Sequence, residues 1–195
     1  MKKFILLFFI SLVFFISYSQ SLTDVARSKE LTWYGVDFTQ ARISGYNKTE
    51  SAKCSFKDWS FTTLSALDSV MIKGAYGKKI LNVETSITAQ RNQAVNCDSV
   101  YLDKTYTVTI DKMNQVISEY NLKGSGYGVL LLVETIEQAH DNLFVWVIYV
   151  DNHSGRIINS RRYLSGGYGK PGNNFSISGI KYIIKLSGKD LKHYK

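Results

Sequence analysis

Hydrophobic positions along the chain fall into short blocks whose spacing switches between two and helical periodicity. Residues 31–38 alternate, with Tyr34, Val36 and Phe38 on one side and Trp33, Gly35 and Asp37 on the other, which predicts a first strand after a polar lead-in over 21–30. Trp59, Thr63, Leu67 and Val70, with Leu64 and Met71 beside them, recur at helical spacing. They predict an amphipathic helix over 57–72, ended by Gly74 and Gly77. Leu81, Val83, Ile87 and Ala89 alternate with polar residues and predict a second strand over 81–90 with one buried and one polar face. Ile110, Met113, Val116, Ile117 and Tyr120 mark a second helix with Thr109 as its N-cap, stopped by Gly124, Gly126 and Gly128. Three β runs follow, at 129–136, 144–150 and 156–164. Asp151-Asn152-His153-Ser154-Gly155 has the turn chemistry to join the last two as a hairpin. Ile177, Ile180 and Ile184 share one side of a closing helix from 175 to about 187. The order β-α-β-α-β-β-β-α predicts the α+β class: a single-domain sandwich of a mostly antiparallel sheet of about five strands with about three helices.

The start of the chain adds a compartment to this picture. Lys2 and Lys3 precede an apolar run over 4–16 broken only by Ser11, and Ser17-Tyr18-Ser19 supplies small residues at the cleavage positions. That pattern predicts a signal peptide over 1–19 and a mature domain over 20–195, exported to the periplasm or beyond the cell. The run is shorter than the roughly 20 apolar residues a spanning helix needs, and no later segment suits a transmembrane helix. Apolar content of 45% and charged content of 21% are ordinary for a globular domain and argue against disorder, and the single proline argues against a long Pro-rich linker. Loss of Lys2 and Lys3 leaves a net charge of +6. From Arg156 onward there are nine Lys/Arg and one carboxylate, Asp190, so the positive charge belongs to the C-terminal segment. Such asymmetry either draws an anionic partner or simply solvates a face.

Candidate chemistry changes the picture little. Cys54 and Cys97 are the two cysteines; in an exported chain they form a candidate disulfide, worth about 4 kcal/mol in the chain-entropy model, or remain inert thiols. His140, His153 and His193 are scattered without ligand spacing, so no metal is expected. Gly167-Tyr168-Gly169-Lys170-Pro171-Gly172 has the G-x-G-x-x-G spacing. It lacks the returning strand and the acidic ribose ligand of a dinucleotide site, so no cofactor is expected. A weaker anion site there would use Arg161, Arg162 and Lys170. Lys181 and Lys185 lie one turn apart on the closing helix, and Lys189 and Lys192 extend that stripe past Gly188 toward an anionic envelope surface. Gly126-Tyr127-Gly128 echoes Gly167-Tyr168-Gly169, and two such loops at one end of a sheet could line a shared cleft. No nucleophile elbow is present, and no RNA-binding signature supports a nucleic-acid partner. A hydrolase would require Asp37, Glu84 or Glu134 to converge, and Glu134, inside an apolar strand, is the carboxylate whose burial matters most.

Trp33-Tyr34-Gly35-Val36-Asp37-Phe38-Thr39 and the later Ser165-Gly166-Gly167-Tyr168-Gly169 loop resemble an uncharacterised family of exported Bacteroidota proteins. Members of that family open on an aromatic-Gly-x-Asp-Phe-Ser/Thr strand and close on a hairpin, a Gly-Gly-aromatic-Gly loop and a helix. The resemblance spans most of the mature chain and implies fold and compartment, with no activity attached. The Trp that often opens the family's last helix is missing from Asn174-Phe175-Ser176. Asn47, Asn152 and Asn174 each begin a glycosylation sequon, which a bacterial source makes coincidental. The function expected is a non-enzymatic binding or interaction module of the envelope, its partner another envelope protein or an anionic surface. The alternative is a carboxylate-dependent hydrolase.

Overall fold

A computed structural model describes residues 21–44, 67–96, 99–101, 106–122, 124–166 and 173–195. The chain is an α+β protein built on a six-stranded mixed sheet. In chain order the described elements are α1 (Leu22–Arg27), β1 (Glu30–Asp37), β2 (Arg42–Ser44), α2 (Ser69–Tyr76), β3 (Ile80–Val83), α3 (Ser86–Gln93), α4 (Ile110–Glu119), β4 (Tyr127–Glu137), a 3₁₀ turn (Gln138–His140), β5 (Asn142–Asp151), β6 (Arg156–Gly166) and α5 (Asn173–Lys192). The strands lie in the order β3-β1-β4-β5-β6, with β2 paired to the far end of β4 beyond β1. Pairing is parallel among β3, β1, β4 and β2, and antiparallel from β4 through β5 to β6. The expected antiparallel character therefore holds only for the C-terminal half.

Helices cover both faces. On one, Val25, Ile72, Tyr76, Ile180, Ile184 and Leu191 of α1, α2 and α5 pack on Trp33, Leu131, Val145 and Val147. On the other, Met113, Val116, Ile117 and Tyr120 meet Tyr34, Leu130, Leu132 and Ile148. Central strands covered on both sides read as continuous apolar runs, and β4 is buried from Gly128 through Ile136.

Strand β1 departs from simple alternation. Its register against β4 shifts between Trp33 and Gly35, and Gly35 adopts φ +98°. The extra residue places Trp33 and Val36 toward α5, while Tyr34 and Asp37 face α4; the alternating grouping expected for this strand breaks at that bulge. A Cβ at Gly35 would also meet Thr85 Cγ2 at 3.2 Å, because α3 crosses β1 there.

Residues 86–90, expected to continue a strand, form helix α3. Two polar residues one turn apart explain this. Buried Asn92 donates to Val36 O at 2.8 Å and accepts from Phe38 N at 2.7 Å, while the Thr88 hydroxyl donates to Tyr34 O. They satisfy backbone groups from Tyr34 to Phe38 that β3, which ends opposite Trp33, leaves unpaired, and one helical turn brings both side chains to that edge. Strand β3 is consequently short and largely exposed, without the buried face expected of it.

The remaining elements follow their local signals. The polar lead-in is ordered: Ser21 and Asp24 form a capping box at α1, whose terminal carbonyls accept from Lys78 Nζ. Helix α2 is N-capped by Asp68, passes through Gly74 and ends at left-handed Gly77; the earlier part of its expected span, 57–66, lies outside the described residues. Thr109 caps α4 as expected, though Ile110 is exposed. Asn121, with φ +46°, turns the chain after α4 ahead of the glycines expected to stop it.

Helix α5 runs past Gly188 because that glycine is where α5 crosses α2. A Cβ there would lie 2.4 Å from Ala75 O. Gly188→Ala is expected to destabilise the fold by about 2 kcal/mol, since only backbone displacement relieves the clash. Urea unfolding gives the measurement, and a midpoint equal to that of the parent would show that the helices do not touch there.

Candidate functional site

Two carboxylates are enclosed by the sheet and its helices, and each is saturated. Asp37, at the end of β1, is fully buried. Its Oδ2 accepts from Arg91 Nε at 2.9 Å and Tyr120 Oη at 2.8 Å, and its Oδ1 from the Thr39 amide at 2.7 Å and hydroxyl at 2.6 Å. Arg91 also pairs with Glu119, so one ion-pair network ties β1 to α3 and α4. Glu134, fully buried in β4, accepts from Val108 N at 2.8 Å, Trp146 Nε1 at 2.7 Å and Arg162 Nε at 2.6 Å. An ionised carboxylate has about four acceptor positions. Asp37 uses all four within the fold, and Glu134 has a guanidinium, an indole and an amide around it.

The three carboxylates considered for hydrolysis therefore occupy three settings. Asp37 and Glu134 hold their own partner sets, while Glu84 is exposed after β3 and lines a separate cleft. Among the described residues, no group of three or more His, Cys, Asp or Glu is placed to hold a metal ion. Among the same residues, no helix is long and apolar enough to cross a membrane.

The candidate anion-binding residues are separated by strand alternation. Arg161 and Arg162 point to opposite faces of β6: Arg161 pairs with Asp190 of α5 at 2.8 Å, and Arg162 with Glu134. Lys170 lies outside the described residues, as do Cys54, Cys97 and the expected leader over 1–19. Lys185 and Lys189 are exposed on α5, and Lys181 is half-buried. Lys192 donates to Gly74 O at 3.1 Å and Lys195 to Gly77 O at 3.3 Å, so the end of the basic stripe caps α2.

Around Arg162 the sheet shows a surface that sequence reading missed. Cross-strand pairs Phe144–Leu164 and Trp146–Arg162 share the α4-side face of the sheet. Arg162 lies 4.1 Å from the Phe144 ring centroid, and Leu164 is 49% exposed. Glu134 fixes both the Trp146 indole and the Arg162 guanidinium from below. The one signal for it was the carboxylate in an apolar strand.

A second feature is a cleft of about 440 Å³ at the start of the sheet, between β1, β3 and the loop after α4. Its floor is a bonded polar set: Tyr34 Oη donates to Asn152 Oδ1 at 3.0 Å, and Asn152 Nδ2 donates to Thr32 Oγ1 at 3.2 Å. Asn152 reads in sequence as a turn residue and a sequon, yet it is 3% exposed and committed at both ends of its amide. Gly128 makes room for the floor, since a Cβ there would sit 2.2 Å from Tyr34 Cε2. Gly124 and Ser125, just ahead of Gly126-Tyr127-Gly128, line this cleft; Gly167-Tyr168-Gly169, expected to share a cleft with that loop, lies outside the described residues.

No protein-family model and no curated protein matches the chain. Among solved structures, the chain is similar to the PelC dodecamer from Paraburkholderia phytofirmans, with 13% identity and a TM-score of 0.40 over 89% of this chain and 94% of that one. It is also similar to a point-variant PelC dodecamer from the same organism, with 13% identity and a TM-score of 0.34 over 82% of this chain and 87% of that one.

Proposed function

We propose that this chain is an exported, non-enzymatic interaction module of the cell envelope that docks an acidic, extended segment of another envelope protein along β6. The observation that carries the reading is Glu134, which presets a partly exposed Trp146 and Arg162 beside exposed Leu164. Aromatic residues and arginine are enriched at interface hot spots, and side chains already held in place lose little entropy on binding.

Strand β6 supplies the rest. It is 11 residues long and, among the described residues, pairs only on its β5 side, leaving backbone groups for an added strand. It has no carboxylate of its own, and its exposed Arg156 makes no ion pair among the described residues, whereas Arg161 and Arg162 already meet Asp190 and Glu134; the free charge favours an acidic partner. Lys2 and Lys3, the apolar run over 4–16 and Ser17-Tyr18-Ser19 support the compartment as the pattern of a cleavable leader. The hydrolase reading has less behind it, because Asp37 and Glu134 spend their acceptors inside the fold and Glu84 stands apart from both.

Photo-cross-linking in intact cells, from a reactive residue at position 164 and separately at 185, tests the docking face. Cross-links from 164 and none from 185 are expected, and Leu164→Asp should cut recovery of the same partner at least tenfold without changing the melting temperature. Cross-links from 185 alone would move the partner to the α5 lysines; none from either would remove the reading. Fractionation should find a chain beginning at Gln20 outside the cytosol.

A further inference from the structure

Charge is segregated between the two helix layers. Helices α1, α2 and α5, on one face of the sheet, carry six Lys/Arg and two carboxylates, while α3 and α4 on the other carry two of each. Both carboxylates of the first layer are already engaged: Asp24 closes the α1 capping box, and Asp190 is held by Arg161 and Tyr163 of β6. Beyond position 20, the segments outside the described residues contain six lysines and four carboxylates, so they bring no excess of negative charge.

The outer side of α5 concentrates this charge. Its isoleucines and Leu191 face inward, which leaves Ser178, Tyr182, Lys185 and Lys189 at successive turns of the exposed side, with Lys181 half-buried beside them. Lys181, Lys185 and Lys189 make no ion pair among the described residues. Past the Gly188 crossing the stripe continues onto α2: Lys192 reaches Gly74 O, next to exposed Lys73, and Lys195 reaches Gly77 O. Cations crowd at that end, where the Lys78 ammonium is pushed down to about 8 by burial and then by Lys195. At about 1.5 Å per residue, the stripe from Lys181 to Lys192 covers about 16 Å of helix.

We propose that the outer face of α5 and the adjoining end of α2 rest on an anionic bilayer surface, with Lys181, Lys185 and Lys189 among the lipid phosphates and Tyr182 at headgroup level. The residue types select this occupant. Lysine is a compact, hydrated point charge on a flexible stem, suited to a layer of mobile phosphates. Arg91, Arg161 and Arg162, by contrast, sit in fixed pairs with Asp37, Asp190 and Glu134. Tyrosine is enriched at membrane–water interfaces, and Tyr182 stands 46% exposed beside Lys181 and one turn from Lys185. The attraction is electrostatic, worth about fivefold in affinity for each lysine near the surface, and it falls with added salt. Trp146 belongs to the opposite face of the sheet and so points away from the lipid, which keeps this surface independent of the docking face on β6.

Sedimentation of the purified protein with vesicles of mixed phosphatidylglycerol and phosphatidylcholine at low ionic strength is the test, with vesicles of phosphatidylcholine alone as the reference. Binding to the mixed vesicles should be about a hundredfold tighter, the product of three lysines. Lys185→Gln and Lys189→Gln should each weaken it about fivefold with an unchanged melting temperature, and Lys185→Arg should not. Lys112→Gln, which removes the same charge from α4, should leave binding unchanged, as should Leu164→Asp on the docking face. The proposal is overturned if both kinds of vesicle bind equally, or if the Lys185→Gln/Lys189→Gln double variant binds like the parent. It is also overturned if Lys112→Gln weakens binding as much as Lys185→Gln, since net charge and not this face would then be responsible. Tighter binding to polyglutamate than to the mixed vesicles would overturn it too, by assigning the face to an acidic polypeptide.

Discussion

A chain ending before Asn173 is expected to lose its cooperative melting transition altogether. Helix α5 buries Ile177, Ile180, Ile183, Ile184 and Leu191 against the sheet and α2. At about 1.5–3 kcal/mol for each fully buried side chain, these contribute about 7–15 kcal/mol. That equals the whole stability of a typical domain, about 5–15 kcal/mol. Polar ties would go with them: Tyr76 Oη to Ser187 Oγ at 3.0 Å, Tyr163 Oη to Asp190 at 2.9 Å, and the Lys192 cap on α2. Circular dichroism during heating reads the outcome. Should the truncated protein express poorly, Ile184→Ala in the full chain supplies the second arm, with an expected loss of about 2–5 kcal/mol from the cavity it leaves. A truncated protein that melts like the parent would show that α5 rests on the sheet without supporting it, and its exposed lysines would then become the better docking candidate.

The legible parts of this fold are those whose signals are local. The β5–β6 hairpin announces itself in Asp151-Asn152-His153-Ser154-Gly155, where the Asp151 carboxylate accepts from the His153 and Ser154 amides. Helix α4 is written in Thr109 and the Met113/Ile117 spacing, and α5 in its isoleucines. Helix α3 is not, because Ile87 and Ala89 prolong the alternation of β3, while the deciding residues, Thr88 and Asn92, are polar ones that bond a strand some 50 positions earlier. The same distance hides the parallel pairing of β1 between β3 and β4. Glu134 stood out as a carboxylate among valines and leucines, but Val108, Trp146 and Arg162 come from three separate segments, so its role could not be read along the chain. Asn152 shows the converse: local turn chemistry is real, and a long-range task under Tyr34 is added to it.

Alkaline pH should unfold this protein sharply, because its tyrosines are placed where a phenolate cannot be solvated. Tyr76, Tyr120 and Tyr149 are no more than 3% exposed. Burial pushes all three phenols well above their ordinary range, with the Asp37 charge adding to the effect at Tyr120 and the neighbouring Tyr76 adding at Tyr149. Above pH 10 the unfolded chain releases these protons and the native state keeps them, so the unfolded state binds fewer and stability falls as pH rises. The slope is about 1.4 kcal/mol per pH unit for each tyrosine, hence about 4 kcal/mol per unit for the three. Two units above pH 10 remove about 8 kcal/mol, enough to unfold an ordinary domain. Lys78 acts with the opposite sign at lower pH. Burial, then Lys195, pushes its ammonium down to about 8, so between pH 8 and about 10.4 the unfolded chain binds more protons and stability rises. The expected profile climbs gently to about pH 10 and then collapses. Ultraviolet difference spectra of tyrosine ionisation, recorded together with circular dichroism, test both limbs. The buried phenols should ionise only as the helical signal disappears, in one step. Smooth ionisation near pH 10 with the fold intact would mean that water reaches Tyr76, Tyr120 and Tyr149, and that the two cores on either side of the sheet are far looser than their packing implies.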